Sequence, residues 1–248
     1  MKRKGFQFKQ FFIEHQDCAM KVGTDSILLG SWVSLPHKVA MSNPTRILDI
    51  GTGSGLLAIM LAQKSSGNAH ITAIDIDNDA INQAKYNFAA SPWANRIRAE
   101  LCSVQTFTQT ENMGKFDLII SNPPYFNSPL PVDTNEEKKR IRARQTVDLT
   151  HQTLLDCVAQ LLSNTGKFYC VLPTDCCASL ITYASTLKLH LCSQLMVYSK
   201  PDSLPLRCLL AFSAQNAPLL SENLTIYTQH QQYSEHYKAI CKDYYLNF

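Results

Sequence analysis

The run Arg46-Ile47-Leu48-Asp49-Ile50-Gly51-Thr52-Gly53-Ser54-Gly55 passes from a short apolar stretch rich in branched residues to three alternating glycines. LLAIMLAQ follows at once. The first part reads as a buried strand, and the last, from about Leu56 to Gln63, as a helix. Glycines between them let the backbone turn tightly and lie against a ligand with no Cβ in the way. A strand, a glycine turn and a helix open a βαβ unit. Working outward, strand-like runs recur at HITAID (70–75), IRAELC (97–102), FDLIIS (116–121) and GKFYCVLP (166–173). Helical runs fall between them at 78–90, about 150–162 and 175–188, and another covers 24–33, capped by Thr24 or Asp25. Two last strands, LHLCSQLMVYS and LRCLLAFSA, are joined only by the turn-like KPDSLP. The expected fold is α/β: a mainly parallel seven-stranded sheet with helices on both faces and an antiparallel hairpin at one edge. Ligands of such sheets sit beyond the carboxyl ends of the strands.

The glycine loop does not match the phosphate-binding patterns. G-x-G-x-x-G counted from Gly51 would need glycine where Leu56 stands, and a P-loop would need lysine there. Asp75 ends the second core strand, 20 residues past Gly55. A carboxylate there can accept hydrogen bonds from both hydroxyls of a ribose. The expected ligand is therefore a nucleoside without a pyrophosphate. S-adenosylmethionine is of this kind, and Asp49 could hold the ammonium of its amino-acid tail, directly or through water.

Asn122-Pro123-Pro124-Tyr125 follows FDLIIS, on the same sheet edge. Two prolines stiffen the backbone and remove two N–H donors. A rim of acceptors remains, the Asn122 side-chain oxygen and the Pro123 carbonyl, suited to a planar amine that offers two donors. Tyr125 adds a flat face for stacking, worth about 1–3 kcal/mol per base in nucleic-acid sites. An adenine exocyclic amine is a poor nucleophile, because its lone pair is delocalised into the ring. Acceptors on both N–H groups favour its pyramidalisation, and no strong base is required.

Composition narrows the class. The 248 residues are 45% hydrophobic and 17% charged, which suits a globular chain of one or two domains. No apolar run approaches the roughly 18 residues of a membrane span. The basic N-terminus has no apolar region behind it, so no signal peptide is read and a cytoplasmic location is expected. Nine cysteines, with no Cys-x-x-Cys, read as buried small hydrophobes in a reducing compartment; no metal site is expected. Net charge is only +3, so a polyanion would have to be held by local patches.

LDIGTGSG, Asp75 and NPPY in this order resemble the class I S-adenosylmethionine-dependent amino-methyltransferases. The opening KQFFIEHQDCAMKVGTDSILLGSWV and the ending IYTQHQQYSEHYKAICKDYYLNF are similar to those of the bacterial tRNA1(Val) adenine-37 N6-methyltransferases. The resemblance implies a Rossmann-like catalytic domain over residues 1–248, with 1–45 as an N-terminal extension and lid and 46–248 as the core. It implies S-adenosylmethionine as methyl donor and the N6 amine of adenosine 37, in a tRNA anticodon loop, as acceptor. Asp49, Gly51, Gly53 and Gly55 would hold the methionine part and Asp75 the ribose. Lys21, Gly23, Thr24 and Asp25 would form the lid. Asn122, Pro123, Pro124 and Tyr125 would hold the target adenine, Asn122 also bordering the cofactor. Ser103 stands where the superfamily often has an acidic contact to the cofactor adenine.

Two basic segments remain. Lys138, Lys139, Arg140, Arg142 and Arg144 crowd seven positions after NPPY. They read as phosphate contacts or base-stacking arginines, or else as a solvated helix face balanced by Glu136 and Glu137. Lys2, Arg3, Lys4 and Lys9 interleave with Phe6, Phe8, Phe11 and Phe12, a pattern that suits unpaired RNA or a tail with a hydrophobic anchor. Three other functions are weighed. A protein-glutamine methyltransferase would also use NPPY, but usually carries a helical domain before the glycine loop, and only 47 residues precede Leu48. A DNA adenine methyltransferase would usually add a target-recognition domain. A non-catalytic RNA-binding protein would not require Asp75 and NPPY to be intact. No obligate protein partner is evident.

Overall fold

A computed structural model describes residues 4–16, 18, 21–35, 44–65, 67–110, 115–124, 149–230 and 232–248. Its centre is a sheet built from β3 (Thr45–Ile50), β4 (Ala69–Asp75), β5 (Ile97–Leu101), β6 (Phe116–Ser121), β7 (Leu162–Pro173), β8 (His190–Tyr198), β9 (Pro205–Ser213) and β10 (Leu220–Thr225). The spatial order is β10-β8-β9-β7-β6-β3-β4-β5. All neighbours pair in parallel except β9, which is antiparallel to both β7 and β8.

Alternation along the strands sends side chains to two cores. In β3, Ile47 enters one and Leu48 and Ile50 the other. The first core is covered by α1 (Thr24–Trp32), α2 (Leu56–Lys64), α3 (Asn78–Ala89) and α7 (Glu235–Cys241). The second is covered by α4 (Val104–Thr108), α5 (His151–Leu161) and α6 (Thr174–Thr186). Every residue of α2 from Leu56 to Ala62 is buried, as expected of a helix apolar on all sides. Lys64, at its last turn, reaches the Val33 carbonyl at 2.6 Å and so ties α2 to the end of α1.

Two expectations are corrected, and a third reading, open between two alternatives, is decided. Among the described residues the sheet has eight strands rather than seven, and the β8–β9 hairpin is not at its edge, because β10 flanks β8. β10, LSENLT, buries only Leu224. Its strand state comes from pairing with β8, with Leu220 opposite Ser193, and not from an apolar alternation. A polar edge strand of this kind also discourages further pairing. Second, α1 is capped by Gly23 with no side-chain hydrogen bond, not by Thr24 or Asp25. The Asp25 carboxylate instead accepts from Arg207 Nε at 2.8 Å. Third, the N-terminal phenylalanines are not an open stacking surface. β1 (Gly5–Gln7) and β2 (Phe12–Glu14) form a hairpin whose turn places Phe8 and Phe11 in the core at 0% and 5% exposure, with their rings stacked 4.5 Å apart. Hiding them removes apolar area from water, which stabilises the fold with or without a partner. Lys9 donates to the Phe248 carbonyl at 2.8 Å, so the cation beside them is turned to the chain's own end.

Eight of the nine cysteines are buried, and all nine are unbridged. Among the described residues no cluster of His, Cys, Asp and Glu could hold a metal ion, and no helix is long and apolar enough to cross a membrane.

Candidate active site at the carboxyl edge of the sheet

β3 ends at Ile50, and the chain then takes three left-handed turns, with φ of 71° at Gly51, 54° at Gly53 and 82° at Gly55. The amides of Gly51 and Thr52 both donate to the Ile74 carbonyl, at 2.9 and 3.0 Å, which holds the loop against the end of β4. A Cβ on Gly51 or Gly53 would meet nothing within 4 Å, so both face open space. One on Gly55 would lie 2.3 Å from the Phe88 ring. The first two glycines leave room for a ligand; the third lets α3 close on the loop. Asn87, on α3 and 1% exposed, donates to the Ser54 and Glu14 carbonyls at 2.8 Å each, and so braces the loop against β2.

Two carboxylates flank this loop. Asp49 is wholly buried; its Oδ2 accepts from Thr52 Oγ1 at 2.6 Å, and its Oδ1 has no hydrogen-bond partner among the described residues. Burial pushes its pKa up to about 7; the Thr52 bond and the Ala58 backbone amide oppose this, and nearby Asp75 adds to it. Asp75 is 8% exposed and accepts from the Gly53 amide at 2.9 Å and the Asp77 amide at 3.0 Å. Burial raises its pKa as well, against the pull of those amides. Each of its oxygens keeps a lone pair for a further donor. An unpaired buried carboxylate oxygen costs free energy unless a cation or donor completes it.

β6 lies beside β3, with Ser121 opposite Ile50, and Ser121 Oγ donates to the Ile50 carbonyl at 2.9 Å. Asn122 therefore starts one strand away from Gly51, roughly 5 Å in the pairing direction. It is buried, its Nδ2 donates to Ser26 Oγ at 2.8 Å, and its Oδ1 has no partner among the described residues. Pro123 is buried and Pro124 half-buried. The first turn of α1 lies over this edge, joined to β6 through Ser26 and to β9 through Asp25 and Arg207.

Residues 26–176 match the family described as methyltransferase small domain. Over its full length the chain is 58% identical to the tRNA1(Val) (adenine(37)-N6)-methyltransferase of Pseudoalteromonas atlantica, covering all of that protein. It is 44% identical to the protein of the same name from Bacteroides thetaiotaomicron, over 98% of this chain and 97% of that one. The chain belongs to the tRNA1(Val) (adenine(37)-N6)-methyltransferase family. Solved structures agree on the fold. The predicted O-methyltransferase Atu636 of Agrobacterium tumefaciens superposes with a TM-score of 0.64 at 14% identity, over 89% of this chain and 96% of that one. M. capricolum TrmK, solved with S-adenosyl-homocysteine, gives 0.52 at 16% identity, over 82% of this chain and 72% of that one.

In this member of the tRNA1(Val) methyltransferase family, Asp49, the glycines, Asp75 and Asn122 to Pro124 share the one edge, as their order in the sequence led us to expect. Of the expected lid, Gly23 caps α1, Asp25 is paired with Arg207, and Lys21 and Thr24 are exposed. Ser103 uses its hydroxyl to cap α4, accepting from the Thr106 amide at 3.1 Å and donating to Thr106 Oγ1 at 2.9 Å. Its proton is thus engaged within the chain. Tyr125, Lys138, Lys139, Arg140, Arg142, Arg144, Lys2 and Arg3 lie outside the described residues, and Lys4 is exposed. The sequence reading missed Ser26, Thr52, Asn87 and Arg207. Thr52 lay inside the glycine motif. The other three reach the site only through contacts distant in sequence.

Proposed function

We propose that this chain transfers the methyl group of S-adenosylmethionine to the exocyclic N6 amine of adenosine 37, beside the anticodon of a tRNA. The observation that carries the reading is a pair of buried acceptors without a partner among the described residues, Asp49 Oδ1 and Asn122 Oδ1, at the ends of adjacent strands. Asp49 Oδ1 suits the ammonium of the donor's amino-acid tail. Asp75 suits the ribose diol, and the open faces of Gly51 and Gly53 suit close approach of the tail. The bound donor supplies an electrophilic methyl group. The chain supplies acceptors for the incoming amine. Asn122 Oδ1 and the Pro123 carbonyl take hydrogen bonds from its two N–H groups, which localises the lone pair on nitrogen. Tyr125 is assigned to stack on the base. Holding both partners in one geometry is the larger part of such catalysis.

The base has to leave its stack to enter this edge, at a cost of a few kcal/mol that is smaller in a single-stranded loop than in a duplex. An anticodon loop therefore suits the site better than paired RNA. Residues 1–248 are treated as one catalytic domain, because the N-terminal hairpin, α1, α2 and the C-terminal tyrosines share one core. The cytoplasm, where tRNA is matured, is the proposed location. Lys2, Arg3, Lys4 and the 138–144 cluster are the proposed phosphate contacts.

Single-turnover methylation with tRNA and donor both saturating tests the assignment. Asn122→Ala should slow the chemical step far more than it weakens tRNA binding, because hydrogen bonds that strengthen as nitrogen pyramidalises act on the transition state. A wild-type rate would leave Asn-Pro-Pro as a stiff turn only. Tritiated-methyl transfer offered to bulk tRNA, DNA and release factor separates this reading from protein-glutamine and DNA methylation.

A further inference from the structure

The Asn122 carboxamide is held at one end and open at the other. Its Nδ2 donates to Ser26 Oγ at 2.8 Å, and its buried Oδ1 has no partner among the described residues. A carboxamide carries two donors on nitrogen and an acceptor on oxygen, and half a turn about its last torsion exchanges them. Only one of the two orientations can receive an amine. The other would set N–H groups against the N–H groups of the incoming base. We propose that Ser26 is a positioning residue, which engages the Asn122 nitrogen and so reserves Oδ1 for the acceptor amine. This inference rests on the reading of Asn122 as an acceptor for that amine.

Ser26 is well placed to do this. It is half-buried, so its own hydroxyl proton can turn to water while its oxygen accepts from Asn122. In the flipped orientation the Ser26 hydroxyl would have to turn its proton toward Oδ1, and the carboxamide nitrogen with both its N–H groups would take the buried position where Oδ1 now stands without a partner among the described residues, which disfavours that state before any substrate arrives. Ser26 is itself held on both sides along α1. Asp25 is paired with Arg207 at 2.8 Å, and Arg207 stands opposite Pro173 at the end of β7. Ile27, Leu28 and Leu29 are buried in the first core. The lid helix thereby sets the orientation of a group in the base pocket, at a site 96 residues away in the chain.

The test is a double-mutant cycle in single-turnover methylation of tRNA, with donor affinity measured by calorimetry on each variant. Ser26→Ala should lower the rate about tenfold, the effect of one hydrogen bond's worth of orientation. Donor affinity should stay within about twofold, since the Ser26 bond is made to Asn122 and not to the glycine loop. Ser26→Thr, which keeps the hydroxyl, should run at the wild-type rate. Ser26→Cys, a weak acceptor of similar shape, should behave like Ser26→Ala and replaces it if that variant does not fold. On an Asn122→Ala background, Ser26→Ala should add nothing, because its effect passes through Asn122. A wild-type rate for Ser26→Ala and Ser26→Cys beside a slowed Asn122→Ala overturns the proposal, as does a loss that repeats in full on the Asn122→Ala background. A wild-type rate for Asn122→Ala is a different result: it removes the acceptor reading itself, and this inference with it.

Discussion

Lowering the pH from 7.5 to 6 should weaken binding of S-adenosylmethionine through Asp49. In the free protein its carboxyl is raised to about 7 from an ordinary value of 3.8, mainly by burial and further by Asp75. The sign follows from linkage. A group whose pKa is raised on folding gives its full stabilisation below the unfolded value and loses it as pH rises through the folded one. Ionising Asp49 in the empty fold therefore destabilises it, by on the order of 4 kcal/mol for a gap of about three pH units. An ammonium against the unpartnered Oδ1 reverses that preference. Binding below pH 7 must then release a proton. At pH 6 only about one molecule in eleven carries ionised Asp49, so affinity should fall about tenfold, or ~1.4 kcal/mol, relative to the plateau. Above about pH 8 the donor's own α-amino group loses its charge, giving an alkaline limb as well. Calorimetric titrations at pH 6, 7 and 7.5, each in two buffers of different ionisation enthalpy, read both affinity and released protons. Asp49→Asn should weaken binding at pH 7.5, erase the acid limb and raise the thermal midpoint of the empty protein at pH 7. Equal affinity at pH 6 and 7.5 with no proton release would refute the reasoning. An acid limb that persists in Asp49→Asn would assign the titration to Asp75, whose pKa is also raised by burial.

Asp75→Ala should weaken donor binding by roughly 1.5–3 kcal/mol, the value of a hydrogen bond to a charged group; it also frees the Gly53 amide, which should exchange faster, so unchanged or slower amide exchange at Gly53 in the variant would count against the bond seen here. Gly55→Ala should cost roughly 2–4 kcal/mol in denaturant unfolding, since it combines a left-handed residue with a Cβ 2.3 Å from the Phe88 ring. Gly51→Ala, with open space around its Cβ, should cost only the conformational part, and equal losses at the two positions would contradict the packing assigned to Phe88. Charge reversal at Arg142 and Arg144 should weaken tRNA binding and flatten its salt dependence by a slope of about one per lost phosphate contact. Donor affinity should be unchanged, and a matching loss of both ligands would make the segment structural.

Much of the catalytic edge was legible in one dimension because its parts are set by local geometry. A strand that ends in Gly-Thr-Gly-Ser-Gly must turn, and alternation of strands with helices brings the strand ends to one side. Asp49, Asp75 and Asn122 could therefore be grouped from their positions at the ends of β3, β4 and β6. Which atoms of those residues are already engaged is a tertiary matter. The bond from Asn122 to Ser26 spans 96 residues and the pair of Asp25 with Arg207 spans 182, and no local spacing encodes either. β10 became a strand through backbone pairing with β8, since its side chains, mostly exposed, carry no alternating pattern. The phenylalanines at the N-terminus read equally well as an RNA platform or an anchor from composition. Burying Phe8 and Phe11 in the core decided for the anchor, because apolar area removed from water stabilises the fold at every moment, with or without a partner. Local rules thus brought these residues to one sheet edge, and long-range packing decided which of their oxygens lack a partner there among the described residues.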